Sequence, residues 1–340
     1  MPTTSKIIEK AISIRFEKYL QENNIINKNQ FGFITKSSTL SACSQLLNFV
    51  ETNIDKKPFV ICLFIDIKKA YDSVNHNILF NKLQAIGITH TTLRLFQSFQ
   101  HNRKQYVSLN HNFSDMQHPK IGVAQGSMLS SAEFSLYMND IFDLNFKGNI
   151  QLYADDAVLM FSSASIDQLI EIMQHDLDIL KKYLELNKLQ LNIEKTNYII
   201  FDKYKTNESQ SASIPTINNT VINKVTETKY LGLIIDSKLS RHQHINKIKN
   251  KIKPIIFAVK RHNNYLHTKA KHDIYNAHFL SHISYLNPIW SNASRYKLNE
   301  IKVLQNKMIK AMYGYSTREH TRLLYLNHTQ IIPFDKLCKI

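Results

Sequence analysis

Cysteine, glycine, proline and tryptophan are all scarce here: 340 residues contain 3 Cys, 7 Gly, 7 Pro and 1 Trp. Cys43, Cys62 and Cys338 are odd in number and far apart, which excludes a disulfide framework or a zinc ribbon and fits a reducing compartment. So little Gly and Pro leaves few low-complexity loops. Long apolar runs are missing as well. The longest is the seven residues Phe59 to Ile65, against the ~20 that a membrane-spanning helix needs. No charged segment followed by an apolar stretch and a cleavage site opens the chain, so no secretory leader is expected.

Acid is the other shortage, and it is local. Residues 1–200 hold 20 Lys/Arg and 19 Asp/Glu, whereas residues 201–340 hold 23 and 8. The net charge of +16 therefore sits almost wholly in the second part. From Arg241 to Lys271 there are nine basic residues and no acid, interspersed with His242, His244, His262 and His267. Such asymmetry suits a polyanion, with nucleic acid favoured over an anionic membrane because the stretch lacks a clean apolar face with bulky aromatics. On charge alone a solvated surface fits equally well, since 35 of the 43 basic residues are Lys.

What is present suffices for a core: 43% hydrophobic and 10% aromatic residues, at a length suited to two or three packed subdomains. Ile8, Ala11, Ile12, Phe16, Tyr19 and Leu20 form a helical stripe. Phe59 to Ile65 reads as a buried strand ending at Asp66. Ile78, Leu79, Leu83 and Ile86 repeat at helical spacing, with Gly87 to close the helix. Residues 121–142 read as a loop feeding a helix, and 149–161 as a hairpin turning at Asp155-Asp156. Ser165 with Gln168 predicts a capping box for a long amphipathic helix through Leu184. Tyr198 to Phe201 and Tyr230 to Ile235 read as strands, 203–226 as a linker, and Ile301 to Met312 as helix. The expected class is α+β, followed by a basic helical region.

Two acidic sites stand out. Asp66 follows seven apolar residues, where a carboxylate loses hydration and needs a counter-charge, a metal or a capping role. Asp155-Asp156 at a hairpin tip alone reads as a turn. Together they lie at the ends of strands able to neighbour each other in one sheet. Three converging carboxylates repel unless a divalent cation neutralises them, and oxygen ligands with phosphate chemistry favour Mg²⁺. Two such ions about 4 Å apart suit nucleotidyl transfer, which would give the basic half a duplex to hold.

Phe64-Ile65-Asp66-Ile67-Lys68-Lys69-Ala70-Tyr71-Asp72, then Gly122-Val123-Ala124-Gln125-Gly126-Ser127, then Tyr153-Ala154-Asp155-Asp156 resemble motifs A, B and C of reverse transcriptases, in the variant of non-LTR, LINE-type retrotransposons of the jockey-like group. Gln30-Phe31-Gly32-Phe33 with Ser38-Thr39 resembles the fingers motif, Leu189 to Thr196 motif D, and Tyr230-Leu231-Gly232 the primer-grip motif E. Leu304-Gln305-Asn306-Lys307 is similar to the helical tail of these proteins. The resemblance implies a right-hand polymerase with fingers, a palm built on an antiparallel sheet, and a helical thumb. It places fingers at 1–60, palm at 61–205 with fingers/palm helices at 75–120, motif E and basic thumb at 206–262, and a helical extension at 263–340.

It further implies an RNA-directed DNA polymerase that uses two Mg²⁺ ions to join dNTPs to a DNA primer on an RNA template. Asp66, Asp155 and Asp156 would be metal ligands with the Ile67 carbonyl. Tyr71 would lie under the incoming sugar and exclude a 2′-OH. Gln125 and Gly126 would let the backbone approach nucleotide and template, Lys195 would neutralise the leaving pyrophosphate, and Lys36 would touch the triphosphate. Lys247, Lys249, Lys251, Lys253 and Lys260 would follow the duplex backbone. The expected setting is intracellular, in cytoplasm and nucleus as a ribonucleoprotein, with no membrane partner.

The sequence departs from the family pattern at Ile34, where Arg is usual, at Ala124 and Ser131, where Pro is usual, at Glu133, where an apolar residue is usual, and at Arg241, where Trp is common. These departures and the start at Met1 lead us to expect a truncated or decayed copy. The competing expectations are a viral-type RNA-dependent RNA polymerase, disfavoured because Tyr71 replaces the Asp that reads a 2′-OH, and a non-catalytic RNA-binding relic.

Overall fold

The structure is a computed structural model that describes residues 3–101, 103–204, 215–217, 220–328 and 330–338. The chain divides into two compact units, Met1–Val225 and Thr226–Ile340.

The first unit opens with α1 (Thr3–Glu22) and α2 (Thr39–Lys56), then β1 (Phe59–Ile65), a 3₁₀ turn (Ala70–Ser73), α3 (His76–Ala85) and α4 (His90–His101). A small hairpin of β2 (Ser108–Leu109) and β3 (Asn112–Phe113) precedes α5 (Met128–Tyr137). β4 (Asn149–Tyr153), β5 (Asp156–Ser163), α6 (Ile166–Leu186) and β6 (Asn197–Asp202) follow. The two-residue strands β7 (Thr216–Ile217), β8 (Thr220–Val221) and β9 (Asn223–Lys224) close the unit. Its main sheet has the order β4-β5-β1-β6-β9, antiparallel except for the β6–β9 pair.

β1 is the central strand and all seven of its residues are buried. Phe59, Ile61, Leu63 and Ile65 join one core with Leu169, Met173 and Leu177 of α6. The alternate residues Val60, Cys62 and Phe64 point to the other face, where α2 packs with buried Cys43, Leu46 and Val50. Coverage on both faces is why this antiparallel strand is apolar without alternation. Truncating such a side chain costs ~2–5 kcal/mol, so Leu63→Ala threatens the whole sheet. Lys82 of α3 is half-buried over the Tyr137 ring and satisfied by the Tyr137 carbonyl (2.5 Å), Asp140 (2.8 Å) and Asn187 (2.7 Å), which ties α3 to α5 and α6.

Several expectations change in detail. Ser165 caps α6 without a side-chain bond, because the Ser163 hydroxyl takes Gln168 instead. The capping box is at the start of α2, between Ser38 and Ser41. The expected linker is only partly such: residues 205–214 lie outside the described residues, while Ile217 and Ile222 are buried in the core.

The second unit begins with the hairpin β10 (Glu227–Tyr230) and β11 (Leu233–Asp236). Tyr230 to Ile235 is thus two strands and not one. Leu231 (φ +44) and Gly232 (φ +86) make the turn between them, which their apolar neighbours disguise in the sequence. Next come α7 (His242–His262), α8 (Thr268–Ile274), a π-helical turn (Tyr275–Leu280), α9 (Ser281–Ser284), α10 (Asn287–Trp290), α11 (Arg295–Tyr313), α12 (Thr321–Asn327) and α13 (Phe334–Leu337). α7 packs on α11, burying Ile245, Ile248 and Ile252 on one and Ile301, Met308 and Ile309 on the other. Trp290 is fully buried, stacks on Phe334 (5.8 Å, 17°) and donates its indole N–H to the Tyr285 carbonyl. Gln305, also fully buried, bonds Tyr275, Tyr325, the Ile332 carbonyl and the Phe334 amide, which explains a polar residue in this tail. Among the described residues no helix is long and apolar enough to cross a membrane.

Candidate active site

Ile65, the last residue of β1, lies opposite Ala157 of β5. Asp66 therefore emerges beside the β4–β5 turn. That turn has two central residues, Ala154 and Asp155, between the paired Tyr153 and Asp156. Asp66 is fixed at three atoms. Its amide donates to Thr196 Oγ1 (3.3 Å), its carbonyl accepts from the Asn192 amide (2.8 Å), and Oδ2 accepts from Asn192 Nδ2 (2.8 Å). The next residue, Ile67, forms a bridge with Leu191 in which Lys68 donates to the Gln190 carbonyl. The Ile67 carbonyl consequently points to the opposite edge, the side on which β5 flanks β1.

Asp155 is half-buried and its carboxyl is pushed above the usual range, first by burial and then by the charge of Asp66, with a backbone N–H opposing. Two carboxylates that repel across a partly desolvated gap, with a backbone carbonyl turned to the same side, suit a hard divalent cation. Asp156 stands exposed on the first residue of β5. Among the described residues no group of three or more His, Cys, Asp or Glu side chains is close enough to hold a metal ion, so the pair Asp66 and Asp155 is what the backbone brings together.

Tyr71 lies on the 3₁₀ turn just after Asp66 and stacks on Phe134 of α5 (4.6 Å, 18°). Burial, with the charge of Asp155 beside it, pushes its phenol up to about 12. Its ring is thus both packed and at the acidic pair. Its carbonyl accepts from Val123, and the Gly122 amide donates to Val74. A Cβ on Gly122 would come within 2.8 Å of the Asp72 carbonyl oxygen, and φ is +82. This glycine lets the two segments touch. Gln125 bonds Asp72 (3.1 Å), while Gly126 (φ +79) faces open space. An open groove of about 900 Å³ runs alongside, lined by Asp72, Arg103, Lys104, Gly122, Ala124 and Gln125. Behind it, Glu133 is fully buried and bonded by Gln100 Nε2 (2.5 Å). Burial pushes its carboxyl up to about 8, against the pull of Gln100 and Arg103.

The remaining expected residues are more dispersed. Lys195 is exposed on the turn that begins at Asn192, and Lys36 is exposed at φ +67. In the second unit Lys251, Lys253 and Lys260 are exposed along α7. Lys247 reaches the Gly232 carbonyl (3.4 Å), and Lys249 pairs with Glu300, so part of its charge is spent inside the unit. Sequence reasoning gave no role to Asn192 and Thr196, which hold Asp66, nor to Gln30 and Gly32, which touch the acidic turn. All four lie inside the quoted motifs, which was the available signal.

Residues 1–235 match the family described as reverse transcriptase (RNA-dependent DNA polymerase), and the chain belongs to that family. Reverse transcriptases as a family use a divalent metal. The chain is 27% identical over 332 residues to the RNA-directed DNA polymerase from mobile element jockey of Drosophila funebris, covering 95% of this chain and 36% of that protein. The corresponding Drosophila melanogaster protein is 26% identical over 333 residues, with the same coverage. The jockey-like resemblance is thus borne out, and the chain spans about a third of the length of the relatives it matches. Telomerase from Candida albicans, solved with a fragment of telomeric RNA, is similar in fold at 12% identity and a TM-score of 0.50, covering 96% of this chain and 57% of that one. The right-hand polymerase fold expected from the motifs agrees with this likeness.

Proposed function

We propose that this chain is the polymerase domain of a jockey-like non-LTR retrotransposon, extending a DNA primer with dNTPs on an RNA template. The observation that carries the reading is the convergence of Asp66 and Asp155 at the end of a buried sheet, in a chain of the reverse transcriptase family.

In this reading Asp66 and Asp155, with the Ile67 carbonyl and Asp156 beside them, would hold two Mg²⁺ ions. When bound, these ions supply charge neutralisation for an in-line phosphoryl transfer. The residues do the rest. Asn192 and Thr196 keep Asp66 aimed, and the stacked Tyr71 ring limits room at the sugar and so favours dNTPs. Gly126 leaves space for base and backbone, with Gln125 and the basic groove at Arg103 and Lys104 beside it. Lys195 and Lys36 supply positive charge to the triphosphate. Lys251, Lys253 and Lys260, with Lys247 and Lys249, give sequence-independent phosphate contacts. We place the protein inside the cell, in cytoplasm and nucleus, as a ribonucleoprotein.

Primer extension on an RNA template with Mg²⁺ tests this. Extension with dNTPs that disappears in Asp155→Ala supports it. Extension with rNTPs alone indicates an RNA polymerase, and template binding without extension indicates a relic.

A further inference from the structure

The acidic turn is under strain and something must hold it. Ala154 adopts φ +56, a left-handed conformation that L residues with a Cβ rarely take. The holder comes from the other end of the sequence. Asn29 and Phe31 exchange backbone bonds with Leu152 of β4 (2.9 and 2.8 Å), so the segment lies along the hairpin. Between them Gln30 is 2% exposed and turns inward. Its Oε1 accepts two N–H bonds at once, from Gly32 (2.9 Å) and from Ala154 (3.1 Å). Both neighbours are donors, so the amide orientation is fixed. Its Nε2 has no partner among the described residues, a buried deficit that costs stability. An amide kept at that cost is kept for its oxygen. Gly32 completes the contact: a Cβ there would lie 2.2 Å from the Ala154 nitrogen.

We propose that Gln30 is a positioning residue, a clasp whose side-chain oxygen locks the Ala154–Asp155 turn in the conformation that presents Asp155 to Asp66. The proposal rests on the polymerase reading for its catalytic consequence, but the clasp itself is tested separately. Gln30→Met keeps the volume and removes the acceptor. Gln30→Glu keeps an oxygen at the same place. Gln45→Met is the control, because among the described residues the Gln45 side chain bonds only the nearby Asn29 side chain (3.2 Å).

Three measurements apply: amide hydrogen exchange of the peptide spanning residues 150–158, Mn²⁺ binding by electron paramagnetic resonance, and extension kinetics. Gln30→Met is expected to speed exchange of that peptide by about tenfold or more. It is expected to weaken Mn²⁺ binding about fivefold and to lower kcat ~10- to 100-fold, with the KM for dNTP changing less than about threefold. Gly32→Ala should do the same, and Gln30→Glu should recover to within about threefold on all readouts. Unchanged exchange in Gln30→Met, or an equal effect in Gln45→Met, overturns the clasp. If the wild-type chain extends no primer, the polymerase reading fails while the exchange comparison still decides the clasp.

Discussion

The two units use charge in opposite ways. In the function proposed above, the working charge of Met1–Val225 is a pair of acids, with Asp66 fixed through its side chain, amide and carbonyl, and Asp155 set on a strained turn. In Thr226–Ile340 it is a run of lysines, of which Lys251, Lys253 and Lys260 are exposed on one helix. One unit sets positions and the other sets a field. Positions fail all at once when a single bond is lost, whereas a field built from flexible side chains weakens by increments.

The sharpest way to break that contrast is at Asp155. Asp155→Ala should abolish primer extension, a loss of ~10³-fold or more, with the fold retained by circular dichroism. A mild effect would mean that position matters little here. Next in size is Tyr71→Ala. Removing the ring stacked on Phe134 should erode discrimination against ribonucleotides by ~10- to 100-fold, read as the ratio of kcat/KM for dNTP and rNTP. On the other side of the comparison, changing Lys251, Lys253 and Lys260 together to Ala should lower the slope of log affinity against log salt by about two to three, with extension at saturating template little changed. A step-like loss of activity would show that these lysines act by position after all.

The smallest effect concerns Glu133, and it depends on pH. The buried carboxyl keeps its proton to about pH 8, whereas an unfolded glutamate releases it near 4.5. The folded chain holds the proton more tightly, so this contribution to stability is full below pH 4.5 and declines as pH rises towards 8. Glu133→Gln removes the titration. Its melting temperature should match the wild type near pH 5 and exceed it by on the order of 5 °C at pH 9.

How much of this the sequence discloses depends on the range of the interaction. β1, the β4–β5 hairpin and α6 are legible because their burial is written as local apolar runs and stripes. Asp66 and Asp155 are legible because each ends such a run. The β10–β11 turn is not, because Leu231 takes a positive φ inside an apolar stretch and nothing local marks it. The capping of α6 misleads because Ser163, two residues before the expected cap, competes for Gln168. The hold of Gln30 on Ala154 spans 124 positions, and no periodicity encodes a side-chain amide reaching a distant backbone N–H.

The sandwiching of β1 between two helices has a practical corollary for chemistry done on the protein. Cys43 and Cys62 are both sealed there, and burial pushes the Cys43 thiol up to about 12 and the Cys62 thiol further still. Neither offers a thiolate to an alkylating reagent at neutral pH. Burial pushes the Cys338 thiol up as well, but this residue is partly accessible in the second unit, which makes it the most reachable of the three and the attachment point for a single fluorophore or spin label at mildly alkaline pH.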